Sequence, residues 1–337
     1  MSNHKSVRRI VHRCAEELDA TIKIAKVLSI GEALETFRAK VDIQIMNRNG
    51  YYENESRKQH LLRKHDIMIR YFEKTFGDFL NSYDYNHEEE ILPNSEYSDC
   101  IWVCWWQGLD EAPELVKKCV ESIKKNAGDH RVIVLTEDNY KHYVEIPEWV
   151  EEKKNKGIIT RTNYSDLLRL SLLAKHGGMW LDSTFFCTAP VLDEYFKWPL
   201  WSIKRPDYFH ASIASGYFAG YSLACSSDNR FAFMTIRDFF LNYWKNNDSM
   251  VDYLMVDYMI VLAQKYDKRI AKIFSDIKSN NPNCDELYKV LGDEFDIDKW
   301  KRIKQDTFLF KLSWKYQYSK EKNECSTFYG YLIDRKL

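Results

Sequence analysis

The stretch from Ile159 to Phe186, ITRTNYSDLLRLSLLAKHGGMWLDSTFF, compresses a helix start, an acid-base pair, a leucine-rich helix, a glycine stop and a strand ending in a carboxylate into under thirty residues. Few structural elements accommodate that combination. Thr162 or Asn163 can accept a backbone hydrogen bond at a helix start, and Gly177-Gly178 supplies the positive backbone angles that let the helix stop and the chain reverse. Met179-Trp180-Leu181 then reads as a short apolar strand, and Asp182, with Ser183 and Thr184, falls where that strand gives way to a loop. In open α/β sheets ligands bind in the crevice beyond the carboxyl ends of the strands, so an acid at that point is a site candidate.

The rest of the chain supplies the partners of such a unit. Cys100 to Trp106 is an apolar, aromatic strand ended by Gln107-Gly108. Pro113 opens a helix reaching about Lys125, with Leu115, Val116, Cys119, Val120 and Ile123 as its inner face. Arg131 to Leu135 is a second strand. Strand, helix, strand with short connections predicts a parallel α/β sheet. Further on, Pro199 to Ile203 and Ser212 to Tyr221 read as strands, Arg230 to Trp244 and Val251 to Lys265 as helices, and DTFLFKLSWKYQY as an extended edge.

Before the first strand the pattern is helical, from about Val7 to Leu80, with Ile10, Cys14 and Leu18 and then Ile22, Ala25 and Ile30 on repeating faces, interrupted at Gly31 and Gly50. Its last part places Leu61, Leu62, His65, Ile69 and Phe72 on one side and lysines and arginines on the others. Such a basic amphipathic stretch either packs on its own domain with its charges solvated or lies against a partner or an anionic membrane surface. Asn81 to Ser98, polar, acidic and containing Pro93, reads as a linker.

Charge and cysteine usage exclude several classes. With 49 basic and 50 acidic residues among 337, the chain has no global pull towards nucleic acid. Eight cysteines, Cys14, Cys100, Cys104, Cys119, Cys187 and Cys225 among them, contain no C-x-x-C pair, which fits buried reduced thiols rather than zinc or redox chemistry. No apolar run approaches the ~18 residues of a membrane span, and the charged N-terminus lacks the apolar core of a secretory signal, so a cytoplasmic protein is expected, with peripheral attachment at the inner face of a membrane left open.

Two readings attach to each candidate residue. Asp166 and Arg169, three apart, share a helix face on a helix apolar nearly all round. They make either a salt bridge near a helix start or a buried pair whose remaining hydrogen bonds a sugar and a diphosphate would complete. Asp182 either caps a turn or holds a ribose hydroxyl or a divalent ion. Trp102, Trp105 and Trp106 are core aromatics or, for one of them, a stacking platform for a base. His176 is a helix C-terminal residue that interacts with the dipole.

Taken together, the order S-D-L-L-R-x-x-L-L-x-x-x-G-G-x-W-x-D-x-T, from Ser165 to Thr184, closely resembles the capsular-polysaccharide-synthesis glycosyltransferases, a branch of glycosyltransferase family 32 with a DxD-type sugar-binding region. The I-W-x-x-W-W-Q-G-x-x-x-A-P-x-x-V-x-x-C run from Ile101 to Cys119, the D-Y-x-x-x-D-Y run from Asp252 to Tyr258 and K-L-S-W-K at Lys311 are similar to the same family, and the resemblance covers roughly Ile101 to Lys315. It implies an α/β, Rossmann-like GT-A fold over residues 99–320, with a helical N-terminal region over 1–80, a linker over 81–98 and a C-terminal tail over 321–337. It also implies a UDP-sugar donor, transfer of a hexose with retention of configuration, and an oligosaccharide or lipid-linked acceptor.

By that resemblance Asp166 and Arg169 match the pair that holds the donor sugar and the diphosphate side, and Asp182 matches the first acid of DxD. Trp102, Trp105 and Lys311 join the donor-binding candidates, and Mn²⁺ or Mg²⁺ is the implied metal, held by Asp182. Thr184 stands where the second acid, the usual metal ligand, would be, and Phe310 where a His often precedes K-L. Arg169, Lys311 or Lys315 can supply positive charge in a metal's place. Asp252 and Asp257 are the carboxylates to consider as nucleophile beneath the sugar ring or as supports for front-face attack, or else are acids at a helix surface or core edge. A catalytically silent nucleotide-sugar-binding or scaffold protein of the same fold is the competing function, supported by Thr184 and Phe310.

Overall fold

The computed structural model describes residues 2–48, 50–87, 95–205, 208–334 and 336–337, with the side chains of residues 2–14 excluded. The side chains of Ile10 and Cys14, and Pro93 in the expected linker, lie outside the described residues.

Three helices come first: α1 (Ser2–Val27), α2 (Ile30–Arg48) and α3 (Glu55–Ser82). Asn54 caps α3, its side-chain oxygen accepting from the N–H of Arg57 at 2.9 Å. The buried face of α3 runs through Leu61, Lys64, His65, Met68, Tyr71, Phe72 and Phe76, whereas Leu62 is exposed. The face the sequence predicts therefore holds except at Leu62, and it takes in Lys64, which the sequence pattern places among the solvated charges.

The α/β unit then begins with β1 (Ile101–Cys104), α4 (Glu114–Lys125), β2 (Val132–Leu135), α5 (Glu148–Asn155), α6 (Arg161–His176), β3 (Gly178–Leu181) and β4 (Phe185–Cys187). After the short α7 (Leu192–Phe196) come β5 (Leu200–Ser202), β6 (Ser222–Cys225), α8 (Arg230–Asn246), α9 (Met255–Tyr266) and α10 (Lys268–Ser275). Short helices and β7 (Leu309–Lys311) complete the C-terminal part.

The main sheet has the order β2-β1-β3-β6-β5, with β1 parallel to both β2 and β3 and with β6 antiparallel to β3 and β5. This is the expected α/β arrangement, with parallel strands at its centre and a helical N-terminal extension. Alternation along the strands distributes the core. Trp102 and Trp180 turn to the face covered by α6, α8 and α9, and Ile101, Val103, Met179 and Leu181 to the face covered by α4. One continuous hydrophobic cluster joins Ala20, Ile24, Ala33, Ile67 and Phe72 of the N-terminal helices to Trp102, Leu167 and Tyr258.

Two sequence expectations fail here. Residues 212–221 form turns, with positive φ at Ser215 and Gly216, and the strand starts only at Ser222. Asp252 precedes α9, which starts at Met255. Among the described residues no helix is long and apolar enough to cross a membrane.

Candidate active site

Because β1 and β3 run parallel, both end at one edge of the sheet, and the candidate side chains collect there. The helix that feeds this edge is capped by Thr160, not Thr162 or Asn163. The Thr160 hydroxyl accepts from the N–H of Asn163 at 3.3 Å. Gly177, with φ of +75°, ends the helix, and its N–H donates to the carbonyl of Leu173. Gly178 then starts β3 with φ of +82° at a point where a Cβ would meet the Cys100 carbonyl, so this helix-to-strand reversal needs glycine.

With that frame fixed, α6 and β3 deliver one acid each to Arg169. The Arg169 Nη2 lies 3.3 Å from Asp166 Oδ1 and 3.4 Å from Asp182 Oδ1. Its Nη1 donates to the carbonyl of Gly220, and the guanidinium sits 5.0 Å from the centroid of the Trp180 ring. Among the described residues Arg169 Nε, although buried, has no hydrogen-bond partner. The pairing expected of Asp166 and Arg169 is thus present, and Asp182 joins it.

Asp182 is held from both sides. The Trp180 indole N–H donates to Oδ1 at 3.0 Å, and Lys311 Nζ lies 3.1 Å from Oδ2. Lys311 comes from β7, whose antiparallel pairing with β4 sets Phe185 opposite Lys311. The same ammonium donates to the Thr184 hydroxyl at 2.6 Å. Lys315, the other lysine considered for this charge, is exposed.

Asp257, in the first turn of α9, completes the cluster. It is buried, it accepts from the Ser212 hydroxyl at 2.6 Å, and a Cβ at Gly220 would lie 3.0 Å from its Oδ1 and 3.7 Å from Arg169 Nη1. Gly220 therefore lets Asp257 and Arg169 approach the same turn. Neither Ser212 nor Gly220 carried a sequence signal, because both lie in the segment that reads as a strand.

The three acids differ in charge state. Burial pushes Asp166 up to about 7, against the pull of Arg169 and with help from Asp182 and Asp257. Burial likewise pushes Asp257 up to about 6, opposed by the Ser212 hydrogen bond and by Arg169. Burial would raise Asp182 too, but Lys311 and Arg169 outweigh it and hold that carboxyl below its ordinary value. The site thus holds one firmly ionised acid between two cations, flanked by two acids that titrate near neutrality. Such a set can bind sugar hydroxyls through the carboxylates and stabilise a departing anion through Arg169 and Lys311.

Two of the sequence candidates are not brought to the cluster. Trp102 is fully buried and donates its indole N–H to the Gly177 carbonyl at 3.2 Å, so it supports the glycine reversal and meets no ligand. Asp252 pairs with Lys64 of α3 at 2.7 Å, both side chains are almost fully buried, and the lysine draws its pKa down to about 2 despite burial. Its charge is matched inside the core, which removes it as nucleophile. Trp105 lies at the strand edge against Trp314, ring centroids 5.6 Å apart, while Trp106 donates to the Ser165 hydroxyl at 3.0 Å. His176 bonds the carbonyl of Tyr143 at 2.8 Å.

The fit to a divalent ion is poor. Asp182, the residue that would hold such an ion, has both its oxygens facing cations, and the Thr184 hydroxyl is engaged by Lys311. Among the described residues no group of three or more His, Cys, Asp or Glu side chains is placed to hold a metal.

No curated protein matches the chain. The solved structure of the PaToxG glycosyltransferase is similar over 61% of this chain and 83% of that one, at 16% identity and a TM-score of 0.34, too distant a likeness to assign fold or chemistry. The family model described as capsular polysaccharide synthesis protein matches residues 48–332, well beyond the Ile101–Lys315 span of the sequence motifs and including the whole of α3, and the chain belongs to that family.

Proposed function

We propose that the chain is a retaining glycosyltransferase that moves a hexose from a UDP-sugar to an oligosaccharide acceptor, lipid-linked, during capsule assembly. The observation that carries this reading is the convergence of Asp166, Asp182 and Arg169 at the carboxyl edge of a parallel sheet, with Lys311 facing the same acid. In this reading Asp166 and Asp182 bind donor hydroxyls, and Arg169 and Lys311 face the diphosphate. Asp257 supports the sugar's reacting carbon as an oxocarbenium-like charge grows there. Placement of the sugar and charge stabilisation of the leaving group are what such a transfer needs from a protein.

The family supports the acceptor reading, and in that reading the chain works at the inner face of a membrane. Peripheral contact there has a surface to use: α2 exposes Ile30, Leu34, Phe37, Val41 and Ile45 along its outer side.

The test is turnover of a panel of UDP-sugars by the purified full chain. At least one should be hydrolysed or transferred, and Asp182→Asn or Asp166→Ala should each lower that rate by about 100-fold or more, the loss typical of an electrostatic group at a reacting centre. Undiminished activity in both variants would sink the site. Nucleotide binding without turnover of any donor would instead favour a catalytically silent protein of the same fold.

A further inference from the structure

Lys311 stands where a divalent ion would be expected. Its Nζ makes contacts of 2.6 Å to Thr184 Oγ1 and 3.1 Å to Asp182 Oδ2, the side chains at the two positions that a D-x-D motif would fill with acids. A hard divalent ion sits about 2.0–2.6 Å from its oxygen ligands, so one bound to these two oxygens would crowd the ammonium and be repelled by it. The lysine is also well fixed. Its backbone N–H donates to the Cys284 carbonyl at 2.9 Å, and its neighbour Leu312 donates to the Thr184 carbonyl at 2.9 Å. The ammonium lies 5.5 Å from the Tyr221 ring centroid and 5.8 Å from that of Phe185, and the Tyr221 hydroxyl accepts from Arg205 at 2.6 Å.

We propose that in this chain the Lys311 ammonium, with Arg169, takes the place of the divalent metal in holding the donor's diphosphate, so that donor binding and transfer proceed without a metal ion. The inference rests on the UDP-sugar reading above. In the transfer the bond between the sugar's C1 and the diphosphate oxygen breaks with its electron pair left on that oxygen. The acceptor hydroxyl oxygen forms the new bond to C1, and its proton passes to the departing diphosphate. Lys311 takes no part in the proton transfer and acts by charge. At 23% exposure its side chain is open enough to meet a ligand, and two of its three donors are engaged among the described residues, which leaves one for a phosphate oxygen.

The experiment is calorimetric titration of the full chain with UDP, in EDTA and again with excess Mn²⁺, alongside the Mn²⁺ electron paramagnetic resonance spectrum with and without protein. The expected result is UDP affinity equal within about twofold in the two conditions, with the free-Mn²⁺ signal undiminished by the protein. Lys311→Met should weaken UDP by about 10- to 100-fold, the usual worth of a charge-assisted bond, and Lys311→Arg by only a few-fold. UDP binding that EDTA abolishes and Mn²⁺ restores would overturn the inference while leaving the donor reading standing. Absence of UDP binding under every condition would overturn both. The wild-type comparison decides the matter even if Lys311→Met fails to fold.

Discussion

Replacing Lys64 by methionine should unfold much of this protein's stability margin, although Lys64 lies in the helical region and touches no ligand. Its ammonium is 2.7 Å from Asp252, and the two side chains are 1% and 4% exposed. Removing one partner of such a pair leaves a charge in the core with nothing to match it, which costs about 3–5 kcal/mol. Single domains are stable by about 5–15 kcal/mol, so the loss would be plain in urea unfolding followed by tryptophan fluorescence at pH 7. The acid side of the pair gives an independent figure. Asp252 falls from 3.8 to about 2 on folding, which corresponds to about 2 kcal/mol. Because the folded value is the lower one, that stability is complete above pH 3.8 and is lost as pH falls towards 2. Replacing both residues together, Lys64→Met with Asp252→Leu, should recover most of the loss, since a packed apolar pair of similar volume is commonly neutral. If Lys64→Met unfolds within about 1 kcal/mol of wild type, or if the double variant is worse than the single one, Lys64 and Asp252 are not each other's buried counter-ion.

Burial raises Asp257 to about 6 and Asp166 to about 7, so donor turnover should climb as pH rises through that window and level off above it, and Asp166→Asn should remove the upper part of the rise. In stability the sign is reversed relative to Asp252. These two acids hold their protons in the folded state beyond the unfolded value of 3.8, so their contribution falls as pH rises from about 4 to about 7. Gly220→Ala would set a methyl 3.0 Å from Asp257 Oδ1, tighter than ordinary contact, and should lower turnover several-fold while far-ultraviolet circular dichroism stays unchanged.

What could be read from the sequence was the local part. The reversal at Gly177-Gly178 and the acid after β3 follow from residue chemistry within a few positions, and β1, α4 and β2 follow from apolar periodicity. Helix starts were less legible, because several polar residues compete for the cap and the structure chooses Thr160, whose hydroxyl accepts from the Asn163 N–H and donates to the Asn163 side chain. The segment before β6 misled, since its aromatic residues Tyr217, Phe218 and Tyr221 imitate a strand while Ser215 and Gly216 turn the chain. Lys64 and Asp252 were illegible for a different reason. They are far apart in sequence, and only the folded chain shows that each is the other's counter-ion.

That long-range contact is one of several by which the N-terminal helices hold the elements around Asp257. Lys40 donates to the Val251 carbonyl at 2.9 Å and Lys23 to the Ser249 carbonyl at 3.2 Å, which ties down the turn leading into α9. His65 works on both sides of the acid. Its Nε2–H donates to the His210 carbonyl at 2.8 Å, which leaves Nδ1 to accept from the Tyr258 hydroxyl at 2.7 Å, and burial lowers its pKa to about 4, so the ring stays neutral and keeps that tautomer. Glu53 bonds His210 in turn. The Ser212 hydroxyl that orients Asp257 is two residues from His210, and Asp257 itself adjoins Tyr258, so α3 fixes the loop and the helix that meet at this acid. An appendage joined by a flexible linker has no reason to bury a lysine against the partner domain. A helix that sets the position of the buried Asp257 carboxylate does, and the family match, which begins at residue 48, takes in the whole of α3.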